Sequence, residues 1–454
     1  MLRSRVIVAT GAVASLHRVI EIKTPTLWHF GTIGMLALLA VAPASAQRLV
    51  TRGEAERAAL AEGTRVALAR ADTAAALARL LTAHTLPNPT VAATYSRAVP
   101  QKHLILDFPV FDALWKRGAL IGQASAAARA SRLLFISERL AALVEVDTTY
   151  TRALAADARF RLSRQTARDA DSLRKMTVSR RDAGDASDLD VDLATVVGGQ
   201  QLNVATGDSL SYMSALLTVQ TLMGIPASSP SIVLADSLVL TALDTIVVRR
   251  TLDSTGIVIG VPPAITTSPV AGTSTIGGVG MTPGVVAAEA NLRAAEMGVV
   301  VQKRGAFALP SVNAGVEWGD PGEPGYLPLI GLAVPLPLFN RNQGPIAEAT
   351  AERERARIQL VAARLAARQR LIEGVKAREG LLARIARDRD LVVRAQRVAD
   401  RSLTAYREGA AGLPAVLQAR RSAREVLGQY IDDLAALLTI NTELRALTQT
   451  VSAP

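Results

Sequence analysis

The sequence predicts a mainly α chain with a β-barrel part, built on an internally duplicated plan. Three observations predict it. Two long runs are almost free of glycine and proline, short segments alternate apolar and small or polar residues with period two, and a series of landmarks recurs about 225 residues later in the same order. Each half is expected to contain a helix, two short strands, a very long helix, a tight glycine turn and a second long helix.

The first 46 residues read as a secretory signal peptide. Arg3, Arg5, Arg18 and Lys23 precede an apolar run over 31–42, and Ala44-Ser45-Ala46 offers small residues for cleavage before Gln47. That apolar run is too short for a spanning helix, which needs about 20 apolar residues. The remaining chain divides into a first structural repeat (47–226), an inter-repeat insert rich in Thr, Ser, Gly and Pro (227–282), and a second structural repeat (283–450). There is no Cys, which excludes disulfides, thiolate metal sites and a lipid anchor on cysteine. Outside the leader only His84 and His103 remain, too few for a histidine-rich metal site. Both are expected in loops or at the surface. The formal charge of +11 is carried mostly by Arg. No nucleic-acid motif accompanies it, and an exported chain is not expected to meet nucleic acid.

The first helix of each half is expected over about 50–84 and 284–307. In the strands, Val91, Ala93 and Tyr95 alternate with Thr90, Ala92, Thr94 and Ser96; the segments 311–318 and 329–338 alternate in the same way. One apolar and one small or polar face suits strands between lipid and a wet lumen. It also suits a half-buried sheet in a soluble α+β domain. Tyr95 and Trp318 stand at the hairpin ends, where an aromatic belt would meet the membrane interface.

The long helices favour the first reading. Residues 123–183 contain neither Gly nor Pro, and such a helix spans about 90 Å. Over 346–406, Ile358, Leu365 and Ile372 fall at one heptad position and Val361, Val375 and Leu382 at the other, as in a coiled coil. An isolated two-helix spacer would show the same pattern. Four strands cannot close a barrel, and an open edge in lipid leaves backbone groups unpaired. Strands that span a membrane here therefore require several chains; three would supply an even twelve.

Leu86-Pro87-Asn88-Pro89, Phe111 and Phe339 at the strand ends, and the turns Gly184-x-x-Ser187 and Gly409-x-x-Gly412 resemble landmarks of the outer-membrane efflux protein (TolC-like) family. The stretch Pro335-Leu336-Pro337-Leu338-Phe339-Asn340-Arg341-Asn342-Gln343-Gly344 resembles its cation-efflux (cobalt–zinc–cadmium type) branch. The resemblance implies a trimeric 12-stranded outer-membrane β-barrel, continued by a long α-helical coiled-coil periplasmic tunnel. It implies a passive exit duct for heavy-metal cations or drugs within a tripartite efflux system. The implied partners are two further copies of the chain, a periplasmic adaptor (membrane fusion) protein, an inner-membrane efflux pump of RND type and outer-membrane lipid. It implies no enzymatic activity, no cofactor and no metal site. Two other roles stay open: an outer-membrane duct for type I protein secretion, and a periplasmic coiled-coil adaptor.

By the same resemblance the helix turns form an adaptor-binding tip, made of Gly184, Ser187, Asp188 and Leu189 in the first turn and Gly409, Gly412, Leu413 and Val416 in the second. Gly suits the left-handed residue that ends a helix, and Ser187 with Asp190 suits the N-cap of the next helix. The first turn also carries Asp182, Asp185, Asp188, Asp190 and Asp192. Under threefold symmetry Asp182, Asp185 and Asp188 would form acidic rings at a pore aperture, favouring cations; capping of solvated helix ends accounts for acids there equally well. Residues 340–343 are expected to be structural, joining the last strand to the long helix.

Overall fold

The computed structural model describes residues 48–226, 228–238, 282–307 and 309–448. The chain divides into Met1–Ala46 and Gln47–Pro454, and every described element belongs to the second unit. The expected signal peptide and most of the 227–282 insert lie outside the described residues. The elements run β1 (Arg48–Val50), α1 (Arg52–Glu62), α2 (Thr64–His84), β2 (Thr90–Tyr95), β3 (Lys102–Phe108), α3 (Val110–Asp182), α4 (Asp188–Leu222), β4 (Ile232–Leu234), α5 (Pro283–Arg304), β5 (Ser311–Trp318), β6 (Leu327–Ala333), α6 (Gln343–Arg407) and α7 (Leu413–Thr448).

The helix expected over 50–84 is two helices. Thr51 and Glu54 form a capping box that starts α1, and Gly63 interrupts it with extended backbone. Phe111, expected at a strand end, lies in the first turn of α3. The last strand stops at Ala333 instead of continuing to 338, because Pro335 and Pro337 have no N–H to give a ladder. At 73 residues, α3 is about 110 Å long, and α6 at 65 residues is about 100 Å.

The sheet order is β2-β3-β5-β6, antiparallel throughout, with β2 and β6 at its edges. The register puts Val91, Leu106, Ala314 and Ile330 in one row, and Leu104, Val316, Phe108, Val312 and Leu332 on the same face. Thr90, Thr94, His103, Asp107, Asn313 and Glu317 share the opposite face, with Ile105, Leu327 and Leu329 as apolar exceptions.

Near the sheet, α3 packs against α2 and α5, and α5 against α6; towards the glycine turns, α3 packs against α4 and α7, and α7 against α6. Between these regions β1 pairs in parallel with β4, a strand contributed by the 227–282 insert. Tyr150 fastens this junction, its hydroxyl donating to the Val50 carbonyl (2.8 Å) and to Asp236 (2.9 Å). Burial and the neighbouring Asp236 carboxylate push the Tyr150 phenol well up, so it stays a donor.

Of the six heptad residues of α6, only Leu382 packs into the described intrachain seam. The buried series is Ala356, Leu360 and Ala367 beside α5, then Ile385, Val392, Ala399 and Tyr406 at seven-residue intervals. Ile358, Leu365 and Ile372 are 55–63% exposed, and Val361 and Val375 are exposed with them. Thus α6 carries two apolar stripes, and only one is covered within the chain.

Candidate functional site

Both glycine turns have the same construction. In the first, Gly184 has φ 86°, its N–H donates to Arg181 O (2.8 Å) and the Asp185 N–H reaches Arg180 O (2.8 Å). In the second, Gly409 has φ 77°, with Gly409 N–H to Tyr406 O (3.2 Å) and Ala410 N–H to Ala405 O (2.8 Å). This paired 5→2 and 6→1 arrangement satisfies the last free helix carbonyls and requires a left-handed residue at each Gly. Ser187 then starts α4 through a reciprocal capping box with Asp190.

The turn residues divide by exposure. Gly184, Ser187, Asp188, Gly409 and Gly412 are at or near the surface, and Leu189 is 75% exposed. Leu413 and Val416, expected beside them as contact residues, are fully buried, packed with Leu173, Ala194 and Tyr406. Their side chains bind the two helical hairpins to each other and leave no surface for a partner. Asp182 accepts a salt bridge from Arg181 at 2.6 Å, and Asp188 lies 3.8 Å from the same guanidinium. The paired Asp182 raises the Arg181 pKa, keeping it charged. Asp185 is exposed and makes no side-chain hydrogen bond or ion pair among the described residues.

The sequence did not reveal what joins the hairpins above these turns. Thr177 Oγ1 and Tyr406 Oη are 3.1 Å apart and buried, and Arg180 donates to the Tyr406 carbonyl oxygen while lying over its ring. A tyrosine and an arginine 226 residues apart in Arg-rich helices carry no local signal of contact.

At the other end, Tyr95, Lys102 and Trp318 lie in one cross-strand row. Tyr95 is exposed, and Trp318 packs against exposed Tyr326, ring centroids 5.8 Å apart. A second set of exposed aromatics, missed from the sequence, collects where the sheet meets the helices: Phe111, Trp115, Phe307 and Phe339, the last 93% exposed. Arg304 lies over the Trp115 ring and donates to its carbonyl oxygen at 3.2 Å. Asn342, at φ 61°, anchors the same junction by donating to Gln302 O at 2.7 Å, a structural use of the 340–343 stretch. His103, expected in a loop or at the surface, sits within β3, its Nδ1 3.0 Å from Glu317 Oε1 on the polar face; His84 is the exposed last residue of α2. Among the described residues no group of three or more His, Asp or Glu could hold a metal ion.

No family model and no curated protein matches the chain. Solved structures do. The outer membrane protein VceC of Vibrio cholerae is 17% identical with a TM-score of 0.68, covering 88% of this chain and 96% of that one. A membrane protein of Pseudomonas aeruginosa is 19% identical with a TM-score of 0.66, covering 88% and 91%. The fold is the one these two proteins share. CusC, whose structures concern folding and transmembrane channel formation, is 16% identical with a TM-score of 0.64, covering 87% and 91%. The likeness therefore covers most of the chain and nearly all of each of these proteins.

Proposed function

We propose that the chain is one third of a trimeric outer-membrane duct, serving as the passive exit of a tripartite efflux system. The observation that carries this reading is the β2-β3-β5-β6 sheet, apolar on one face and open at both edges. Such a sheet is stable in lipid only if β6 of one copy pairs with β2 of the next until the ring closes. The helices are arranged for the same head-to-tail contact. The uncovered stripe of α6 lies on the β6 side; exposed Leu68, Leu77 and Leu81 of α2 and Val196, Leu202 and Leu210 of α4 lie on the β2 side. A contact between two different patches closes into a ring where its rotation allows, and three copies would close at about 120° each. The two aromatic sets would then mark the two membrane interfaces. The polar sheet face would line the lumen, and the glycine turns would meet a periplasmic adaptor that links the duct to an inner-membrane pump.

Heavy-metal cations are the first cargo to test, because residues 335–344 resemble the cation-efflux branch. Two measurements test the reading. Purified protein in planar bilayers is expected to give stepwise conductances and to cross-link as trimers; absence of both would overturn the duct. A deletion strain, complemented with the gene, is then challenged with divalent metals, dyes, detergents and antibiotics. Sensitivity to metals alone assigns cation efflux, and sensitivity to drugs and dyes assigns multidrug efflux.

A further inference from the structure

Within the α6–α7 seam, about 30 Å from the glycine turns, two carboxylates from different helices meet. Asp433 of α7 is 3% exposed. Its Oδ1 accepts from Arg384 (2.9 Å) and from Gln429 (3.0 Å). Its Oδ2 is buried and has no hydrogen-bond partner, and Asp388 Oδ2 of α6 is in the same condition. Asp388 is one turn on from Arg384, the residue that pairs with Asp433, and is partly exposed. The same stretch of the seam carries Ile385 and Val392 from α6 and Leu434, Leu437 and Leu438 from α7.

Two acceptor oxygens cannot satisfy each other unless a proton lies between them, and an unsatisfied buried oxygen is costly. The surrounding charge favours a proton over a divalent cation. From α6, Arg384 pairs with Asp433, and Arg387 adds a second positive charge beside Asp388. From α7, Tyr430 faces the pair as a neutral phenol, its pKa raised by burial. From α3, Arg159 is spent on Asp432, and Ala155, Ala158 and Leu162 pack on the neighbouring Ile431 and Ala435.

The geometry points to Asp388 and Asp433 as a shared-proton clasp that draws α6 and α7 together in mild acid and releases them when the shared proton leaves. Burial, then the adjoining Asp433 carboxylate, raise the Asp388 pKa, in the direction the clasp requires. A carboxyl that holds its proton more tightly folded than unfolded stabilises the fold below its unfolded value, about 4. That contribution is lost as pH rises through the raised folded value. The seam would thus respond to external acidity at a point in the helical wall.

Hydrogen–deuterium exchange on the full-length chain in detergent tests this, with rates corrected for intrinsic amide chemistry and residues 127–134 as an internal reference. From about pH 4.5 to about pH 8, protection of 381–392 and 427–438 is expected to fall several-fold while the reference holds. In Asp388→Asn the amide donates to Asp433 Oδ2 without titrating, and the low-pH protection is expected at every pH. Asp433→Asn, which keeps an acceptor for Arg384 and turns a donor towards Asp388, is expected to behave alike. A native chain with no pH slope, or an Asn variant that keeps the native slope, would overturn the clasp. So would protection restored at about pH 8 by millimolar Mg2+ or Ca2+, which would make the pair a cation site.

Discussion

Arg180 of α3 lies across Tyr406 of α6, its guanidinium carbon 4.7 Å from the ring centroid, and donates to the tyrosine's own carbonyl oxygen. One turn back, Thr177 meets the Tyr406 hydroxyl. The two hairpins are therefore fastened to each other at the last turn of each long helix. Tyr406→Phe is expected to cost about 1 kcal/mol, because Thr177 keeps its bond to Leu173 O. Arg180→Ala is expected to cost about 2 kcal/mol, losing a charged hydrogen bond and the ring contact together. Denaturant unfolding of the detergent-solubilised protein measures both, and a cost for Tyr406→Phe above that for Arg180→Ala would contradict the assignment.

Gly184 and Gly409 hold positive φ angles that a Cβ opposes at about 1–2 kcal/mol. No side chain fills the space around Gly184, so a substitution there tests the outer surface more than the packing. Gly184→Glu and Gly409→Glu are expected to abolish efflux while trimers survive on size-exclusion chromatography. Normal resistance in both variants would remove these turns from the adaptor contact.

Leu189 and Leu413 flank the same tip and should part company. Leu413→Ala empties a fully buried position and is expected to cost about 2–5 kcal/mol of stability. Leu189→Ala, at an exposed position, is expected to change stability by less than about 0.5 kcal/mol yet weaken adaptor capture. Pull-down with the purified adaptor, alongside unfolding curves, separates the two; equal stability losses would contradict the burial pattern.

The exposed stripe of α6 predicts assembly. Leu365→Lys is expected to leave helix content unchanged by circular dichroism and to shift the protein from trimer to monomer in light scattering. A trimer of native stability would place the intersubunit seam elsewhere.

Acidic rings at the aperture, if the proposed trimer forms them, predict selectivity. The triple variant Asp182→Asn, Asp185→Asn, Asp188→Asn is expected to move the bilayer reversal potential under a KCl gradient towards zero. Asp185 should contribute most, since Arg181 pairs with the other two. An unchanged reversal potential would leave these acids as helix caps alone.

Local features were legible in the sequence because nearby residues decide them. Ser311–Trp318 forms a strand with the alternation its residues show, and Gly184 and Gly409 end their helices as their type suggests. The break at Gly63 was missed, because an isolated Gly in a helical pattern is often tolerated. The early end of β6 was missed although Pro335 and Pro337 stand in plain view, since the apolar alternation runs straight through them.

By itself the sequence determined the long helices, the glycine turns between them, and two strand pairs with an apolar face, since each depends on spacing within a few residues. Only the tertiary structure decided which apolar stripe of α6 is covered, that Leu413 and Val416 are buried, and that His103 meets Glu317 and Arg180 meets Tyr406. A helix with two apolar stripes gives no local sign of which one its own chain will cover. That choice depends on packing against α5 and α7, and the His103 and Arg180 contacts join residues more than 200 apart (214 and 226), so no short window of sequence contains them.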